Sequence, residues 1–229
     1  MKKIIFIITS VLFLTISLSA QKNKTITVMA GTKVLDYFPA IVRYRYPEFL
    51  DGQIIFKNGR VSNGRFNYNF LLSEMEFIQG VDTLSISKKK DINTLTVGND
   101  IYFYDSGYLE MISDGQVRVV LKQYYKLTEV LRKNGFGVAT RGASVDSYNS
   151  MTAGGNFYDL VPNEDMVFQK TFEYSFSIPS GNFVQFRKKN VLQQFPQKNV
   201  EIQQYLKTNK VNFESQEDLL RFAEYLGTL

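Results

Sequence analysis

The stretch GRFNYNFLLSEMEF, Gly64 to Phe77, decides the fold. Phe66, Tyr68 and Phe70 alternate with Arg65, Asn67 and Asn69. That is the period of two of a pleated strand, and aromatic side chains favour such half-buried surfaces. Met75 and Phe77 then alternate with Glu74 and Glu76, so the apolar set has moved from even to odd positions. A continuous strand cannot make this change, because a slip of one residue turns every side chain to the other face. A turn or bulge near Leu71 to Ser73 therefore predicts two antiparallel strands. Phe66, Tyr68, Phe70, Met75 and Phe77 face one core. Glu74 and Glu76 share a strand face, and two carboxylates so placed are candidates for cation binding or acid–base work. Alternation by itself also demands polar residues there, and a solvated outer face is the expectation.

Outward from this hairpin the chain reads as further short strands. Thr25 to Met29 is a first strand. Asp51-Gly52, Asn58-Gly59 and Asn63-Gly64 are hairpin-type dipeptides, with a short strand at Gln53 to Lys57 between them. DTLSIS (Asp82 to Ser87) and INTLTV (Ile92 to Val97) follow, separated by Lys88-Lys89-Lys90, which reads as a solvated turn. Gly98-Asn99-Asp100, Ser106-Gly107 and Asp114-Gly115 then punctuate strands at Ile101 to Asp105, Tyr108 to Ser113 and Gln116 to Tyr125. Thr128 to Lys133 is ambiguous. Met166 to Phe176 and Asn182 to Arg187 return to strand character around a turn at Ser180 to Asn182. Strands at this spacing predict a mainly β protein: an antiparallel meander forming a curled sheet or partly closed barrel. Such a sheet must close or pack on something.

The period then turns helical. Val191, Leu192 and Phe195 form one apolar face, ended by Pro196. Ile202, Tyr205 and Leu206 form a second. Ser215 with Asp218 resembles a capping box ahead of a last stripe of Leu219, Leu220, Phe222, Ala223 and Leu226. These helices, residues 188–229, are expected to cover the sheet of residues 21–187 within one domain.

Two segments resist a regular reading. LDYFPAIVRYRY, Leu35 to Tyr46, is aromatic, but Pro39 argues against a central strand through it. Tyr37, Phe38, Tyr44 and Tyr46 are candidates for a sugar or peptide platform; with no tryptophan in the chain, packing is the favoured role. Residues 134–156 are rich in Gly, Ser, Thr and Asn and read as a long loop, with Arg141, Asp146 and Tyr148 as its candidate functional residues. The Gly-Phe-Gly there lacks the Lys-Ser/Thr ending of a Walker loop and the spacing of a dinucleotide fingerprint.

Composition removes several function classes. The chain has 229 residues, no cysteine and no histidine. Disulfides, Ser-His-Asp and Cys-His catalysis and ordinary zinc sites are thereby excluded. The opening MKKIIFIITSVLFLTISLSA reads as a secretory signal peptide, residues 1–20, with Lys2 and Lys3 before a short apolar run. Without those two lysines the formal charge falls from +5 to +3, too small and dispersed to argue for nucleic acid.

The segments LDGQIIFKNGRVSNGRFNYNFLLSEMEF and GYLEMISDGQVRVVLKQY, with the helical tail KKNVLQQFP to EDLLRFAEYL, resemble a group of uncharacterised exported β-rich proteins of Bacteroidetes-type bacteria. The resemblance covers most of the chain after the leader. It implies export and a β fold with a helical tail, and it carries no activity. A helical C-terminus, where a β-sandwich sorting domain is common in such bacteria, points to the periplasm or the inner face of the outer membrane, with an extracellular address as the alternative.

The leading expectation is a non-enzymatic cell-envelope protein that binds a partner protein or supports an assembly, peripheral to the membrane at most. The first alternative is a β-barrel carrier of a small apolar or glycan ligand, which needs a closed sheet with a cavity. The second is a glycan hydrolase using paired carboxylates. Its candidate pairs are Glu74 with Glu76 and Asp105 with Glu110. A transmembrane barrel fits poorly with the polar helical end. No cofactor or metal is expected, and no residue is assigned a catalytic, cofactor-binding or metal-binding role.

Overall fold

A computed structural model describes residues 25–133, 139–141, 159–179 and 181–229. Residues 1–20, expected to be a signal peptide, lie outside the described residues, as do Asp146, Tyr148 and Ser180. The strands are β1 (Thr25–Val28), β2 (Leu50–Phe56), β3 (Val61–Asn69), β4 (Glu74–Gln79), β5 (Asp82–Ser85), β6 (Ile92–Val97), β7 (Asp100–Tyr104), β8 (Tyr108–Ser113), β9 (Arg118–Lys133), β10 (Ala139–Arg141), β11 (Asp165–Ser177) and β12 (Val184–Gln185). The helices are α1 (Ala40–Arg43), α2 (Lys188–Gln194), α3 (Asn199–Asn209) and α4 (Gln216–Leu226).

All strands join one antiparallel sheet in the order β1-β11-β9-β8-β7-β6-β2-β3-β4-β5, with β10 on β9 and β12 on β11. The expected meander is therefore two meanders, β2 to β5 and β6 to β9, joined where β6 returns beside β2 instead of pairing with β5. The sheet does not close. It curls until the end of β3 meets β9: the Tyr125 amide donates to the Phe70 carbonyl at 2.9 Å, and the Tyr68 hydroxyl to the Gln123 carbonyl at 2.8 Å.

The quoted hairpin forms as its alternation requires. Phe66 pairs with Phe77 and Tyr68 with Met75, and the turn falls at residues 70–73 with Ser73 in the left-handed region. Two of the three hairpin dipeptides are not turns. Asn58-Gly59 turns the chain, but Asp51-Gly52 lies inside β2 and Asn63-Gly64 inside β3. Gly52 and Gly64 are register partners. A Cβ on Gly52 would sit 2.1 Å from the Thr96 carbonyl oxygen and 2.9 Å from the Phe66 ring. Close approach of backbone and ring, not a turn, is what these glycines supply. Other boundaries shift too. The ambiguous Thr128 to Lys133 continues β9, the strand expected over Asn182 to Arg187 shrinks to Val184–Gln185, and within the expected loop Ala139–Arg141 pairs with β9.

Two cores share one face of the β9–β11 ribbon. At one end Tyr125, Leu127, Val130, Met166 and Phe168 pack into the curl against Phe38, Tyr68, Phe70 and Met75. At the other, Val117, Val119, Leu121, Tyr174 and Phe176 pack under the helices against Val191, Ile202, Leu219, Phe222 and Leu226. Long strands allow this because their right-handed twist turns one face through a wide angle along their length. The helices thus cover the sheet as expected. Ser215 caps α4, its hydroxyl accepting from the Asp218 amide at 3.3 Å.

Candidate functional site

The polar face of the central hairpin is covered. Ahead of β2, residues 43–46 pair with the end of β3: the Arg45 amide donates to the Tyr68 carbonyl at 2.9 Å, and the Phe70 amide to the Arg43 carbonyl at 2.8 Å. Pro47 has no amide hydrogen and interrupts this ladder. The side chain of Asn67 fills the break like a peptide unit. Its Oδ1 accepts from the Tyr46 amide at 3.1 Å, and its Nδ2 donates to the Tyr46 and Glu48 carbonyls at 2.9 and 3.0 Å. Glu76 is 3% exposed and accepts from the Tyr44 hydroxyl at 2.6 Å and Asn69 Nδ2 at 3.1 Å. The expected solvated face is thus a buried one at Glu76, because the Arg43–Tyr46 segment lies over it. Burial first, and then the bond to Glu76, pushes the Tyr44 phenol up to about 12.

Glu74 has a different partner, Lys89. The lysine run is accordingly no free turn: Lys89 is half-buried against the hairpin. Glu74 and Glu76, tied to separate partners, do not face each other across a cleft. Asp105 and Glu110 are not brought together either. Asp105 is exposed in the β7–β8 turn, and Glu110 is buried in mid-strand.

Glu110 occupies the most unusual position in the sheet. It lies in the cross-strand row Ile54, Leu95, Tyr102, Glu110, Leu121, Tyr174. The first three residues belong to the curled core and the last two to the core under the helices. One carboxylate, 6% exposed, therefore stands at the junction of two apolar bodies. Its charge is matched there. Arg45 donates from Nε to Oε2 at 3.1 Å and from Nη2 to Oε1 at 2.9 Å, and Gln123 Nε2 donates to Oε2 at 3.1 Å. Bonds of this charge-assisted, two-pronged kind are the strong ones. Arg45 Nη2 also lies 3.8 Å from Asp100. Tyr46 donates to Asp100 at 2.7 Å, so in its 2.7 Å contact with Tyr102 it is the acceptor. Burial pushes both phenols well up.

A cleft of about 690 Å³ opens over this junction, lined by Tyr44, Arg45, Asp100, Glu110, Gln123 and Lys170 among others. Lys170 Nζ stands 3.6 Å from the centre of the Phe70 ring. The remaining aromatic candidates do not form a platform. Phe38 is buried edge-on between Tyr125 and Phe168, Tyr46 is buried against Tyr102, and Tyr37 packs partly buried on the same core. Arg141 falls on β10.

A second concavity, about 660 Å³, lies at the free end of the sheet. Its floor is Ile54, Phe56, Phe66 and Phe77, and its wall is Leu84 on β5. Among the described residues β5 pairs only with β4, and all four of its residues are exposed. Leu84 is 42% exposed and Val81, at the hairpin tip, 99%. Arg60 and Lys88 line the trough with Asp91. The inside of the curl itself is filled by Phe66, Tyr68, Met75, Tyr102 and Tyr108.

Sequence reasoning named Glu110 but missed Arg45, Gln123 and Lys170, which come from separate elements. The signal for Glu110 was present: in YLEMIS it falls between Tyr108 and Ile112 on one strand face. Among the described residues no group of three or more acidic residues is placed to hold a metal ion, and no helix is long and apolar enough to cross a membrane. Comparison with known proteins found no matching family model, no match among curated proteins and none among solved structures.

Proposed function

We propose that this is a non-enzymatic protein of the cell envelope, exported by residues 1–20, that holds a partner protein by adding one of its strands to β5. The observation that carries this reading is the exposed edge of β5 beside a trough with an apolar floor. A sheet edge presents unpaired amides and carbonyls that template another strand, and proteins blunt such edges unless they use them. Here the edge keeps Val81 and Leu84 in solvent. The occupant is an extended segment with apolar residues at alternate positions, which the trough receives, and acidic residues at its flank. Arg60 and Lys88 outnumber Asp91 on the trough wall, and Lys57 and Lys90 lie next to them. The hydrolase reading has less support, since Glu76 and Glu110 are engaged as hydrogen-bond acceptors. The carrier reading also has less, since the sheet is open and its curl is filled.

The test is photo-crosslinking in the native host from a reactive residue at Thr83 or Leu84, with Val200 on the exposed side of α3 as the control. One envelope protein joined from the edge and not from Val200 supports the proposal. A synthetic peptide of the joined segment should then protect the β5 amides from hydrogen exchange. No adduct from the edge, or the same adducts from Val200, overturns it.

A further inference from the structure

We infer that the cleft at the junction of the two cores is a second, separate binding site, and that its ligand is a neutral sugar. The charges that line it are Arg45 and Lys170 against Asp100 and Glu110, and they cancel. Such a lining has no net field with which to gather an anion or a cation. It selects instead by hydrogen bonding. A sugar hydroxyl is at once one donor and two acceptors, so it needs both kinds of partner side by side. The cleft supplies them in planar, paired form: the Arg45 guanidinium, the Gln123 and Gln216 amides and the Asp100 carboxylate.

Arg45 and Gln123 are held in place before any ligand arrives. Glu110 takes two of the five N–H donors of Arg45 and fixes the plane of the guanidinium, while the Arg45 side chain remains 35% exposed. Gln123 is held at two points: its backbone carbonyl accepts from the Tyr68 hydroxyl, and its side-chain Nε2 donates to Glu110. Ligand binding therefore needs little ordering of the site. Phe172, Ile112 and Leu121 add an apolar wall for the C–H face of a pyranose ring. The location has a physical cause as well. The β9–β11 ribbon passes from one core to the other here, and neither body fills the space between.

The experiment is a nitrogen-15 NMR titration of the mature chain with maltose, cellobiose and chitobiose. A sugar phosphate and an amino sugar serve as charged probes. A neutral disaccharide should shift the Arg45 Nε–H and the side-chain amides of Gln123 and Gln216, and bind more tightly than either charged probe. Gln123→Ala and the exposed Gln216→Ala should each weaken binding by about tenfold, the effect of one lost hydrogen bond. Gln216→Ala keeps the test valid if Gln123→Ala unfolds the chain. The inference is overturned if no neutral disaccharide shifts the cleft resonances, if a charged probe binds more tightly, or if Gln216→Ala binds as well as the unaltered protein. The β5 edge takes no part in this titration, so the two proposals stand or fall separately.

Discussion

Arg45 and Glu110, 65 residues apart, are joined by two hydrogen bonds of 3.1 and 2.9 Å at the seam between the two cores. Glu110 is nearly inaccessible, so removing Arg45 leaves a buried carboxylate without its counter-charge. Arg45→Ala should cost about 2–3 kcal/mol, below the usual range for a fully buried pair because Arg45 is partly solvated. Replacing both, as Arg45→Met with Glu110→Leu, continues the apolar row and should restore stability to within about 1 kcal/mol. Urea unfolding midpoints of the two variants check this. A double variant as unstable as the single one would show that the pair organises the seam and does not merely satisfy itself.

The facing glycines Gly52 and Gly64 make a graded prediction. At Gly52 an added Cβ meets a backbone carbonyl at 2.1 Å, which cannot move without disturbing β6. At Gly64 it meets the Phe66 ring at 3.1 Å, which can tilt. Gly115 has nothing nearer than 3.8 Å. Gly52→Ala should therefore cost about 3 kcal/mol or more, Gly64→Ala about 1 kcal/mol, and Gly115→Ala close to nothing. The order of thermal midpoints is the readout.

These glycines also show where the sequence is legible and where it is not. Alternation in Phe66 to Phe77 located the hairpin, its turn and its apolar face, because those depend on neighbours along the chain. Asp51-Gly52 and Asn63-Gly64 look locally like Asn58-Gly59. Only the approach of β6 and the Phe66 ring, both set by tertiary packing, keeps them in strands. The return of β6 to β2 is invisible for the same reason. At the seam, Glu110 carries a local signal as a carboxylate in an apolar alternation. Arg45 carries none, since the segment that brings it there is shaped by Pro47 and by the amide of Asn67. Burial of Glu76 likewise follows from a segment some thirty residues away, and no pattern within the hairpin announces it.

Tyrosine ionisation supplies a pH prediction. Burial pushes the Tyr44 phenol up to about 12, and those of Tyr46, Tyr68, Tyr102, Tyr108 and Tyr124 well up also. An unfolded tyrosine ionises at about 10. A folded-state pKa above the unfolded one means the folded chain holds the proton more tightly. The resulting stability is complete below pH about 10 and is lost as pH rises toward 12 and beyond. Phenolate absorbance, free of tryptophan overlap in this chain, should rise late and together with loss of near-ultraviolet circular dichroism. Ordinary titration of all 14 tyrosines with the fold intact would contradict it.

The start of α4 provides the last test, and it separates two roles of one carboxylate. The Ser215 hydroxyl accepts from the Asp218 amide, as a cap should, and satisfies one of the four amides a helix N-terminus leaves open. In a capping box the third helical residue reaches back to the cap amide. Asp218 instead accepts from the Asn212 amide at 2.9 Å and pairs with Arg221. That amide, and then Arg221, hold the Asp218 carboxyl below the usual carboxylate range. Ser215→Ala should cost ~1 kcal/mol, about 2–4 °C in Tm for a chain of this size, at acid and neutral pH alike. Asp218→Asn should cost its full amount of stability only above the ordinary aspartate pKa. Its difference from the unaltered protein should vanish as pH falls through the lowered folded-state value, because a depressed pKa contributes stability only while the carboxylate is charged. Thermal melts of both variants across the acid range measure this. A pH-independent loss in Asp218→Asn would assign the residue to packing and not to its charge.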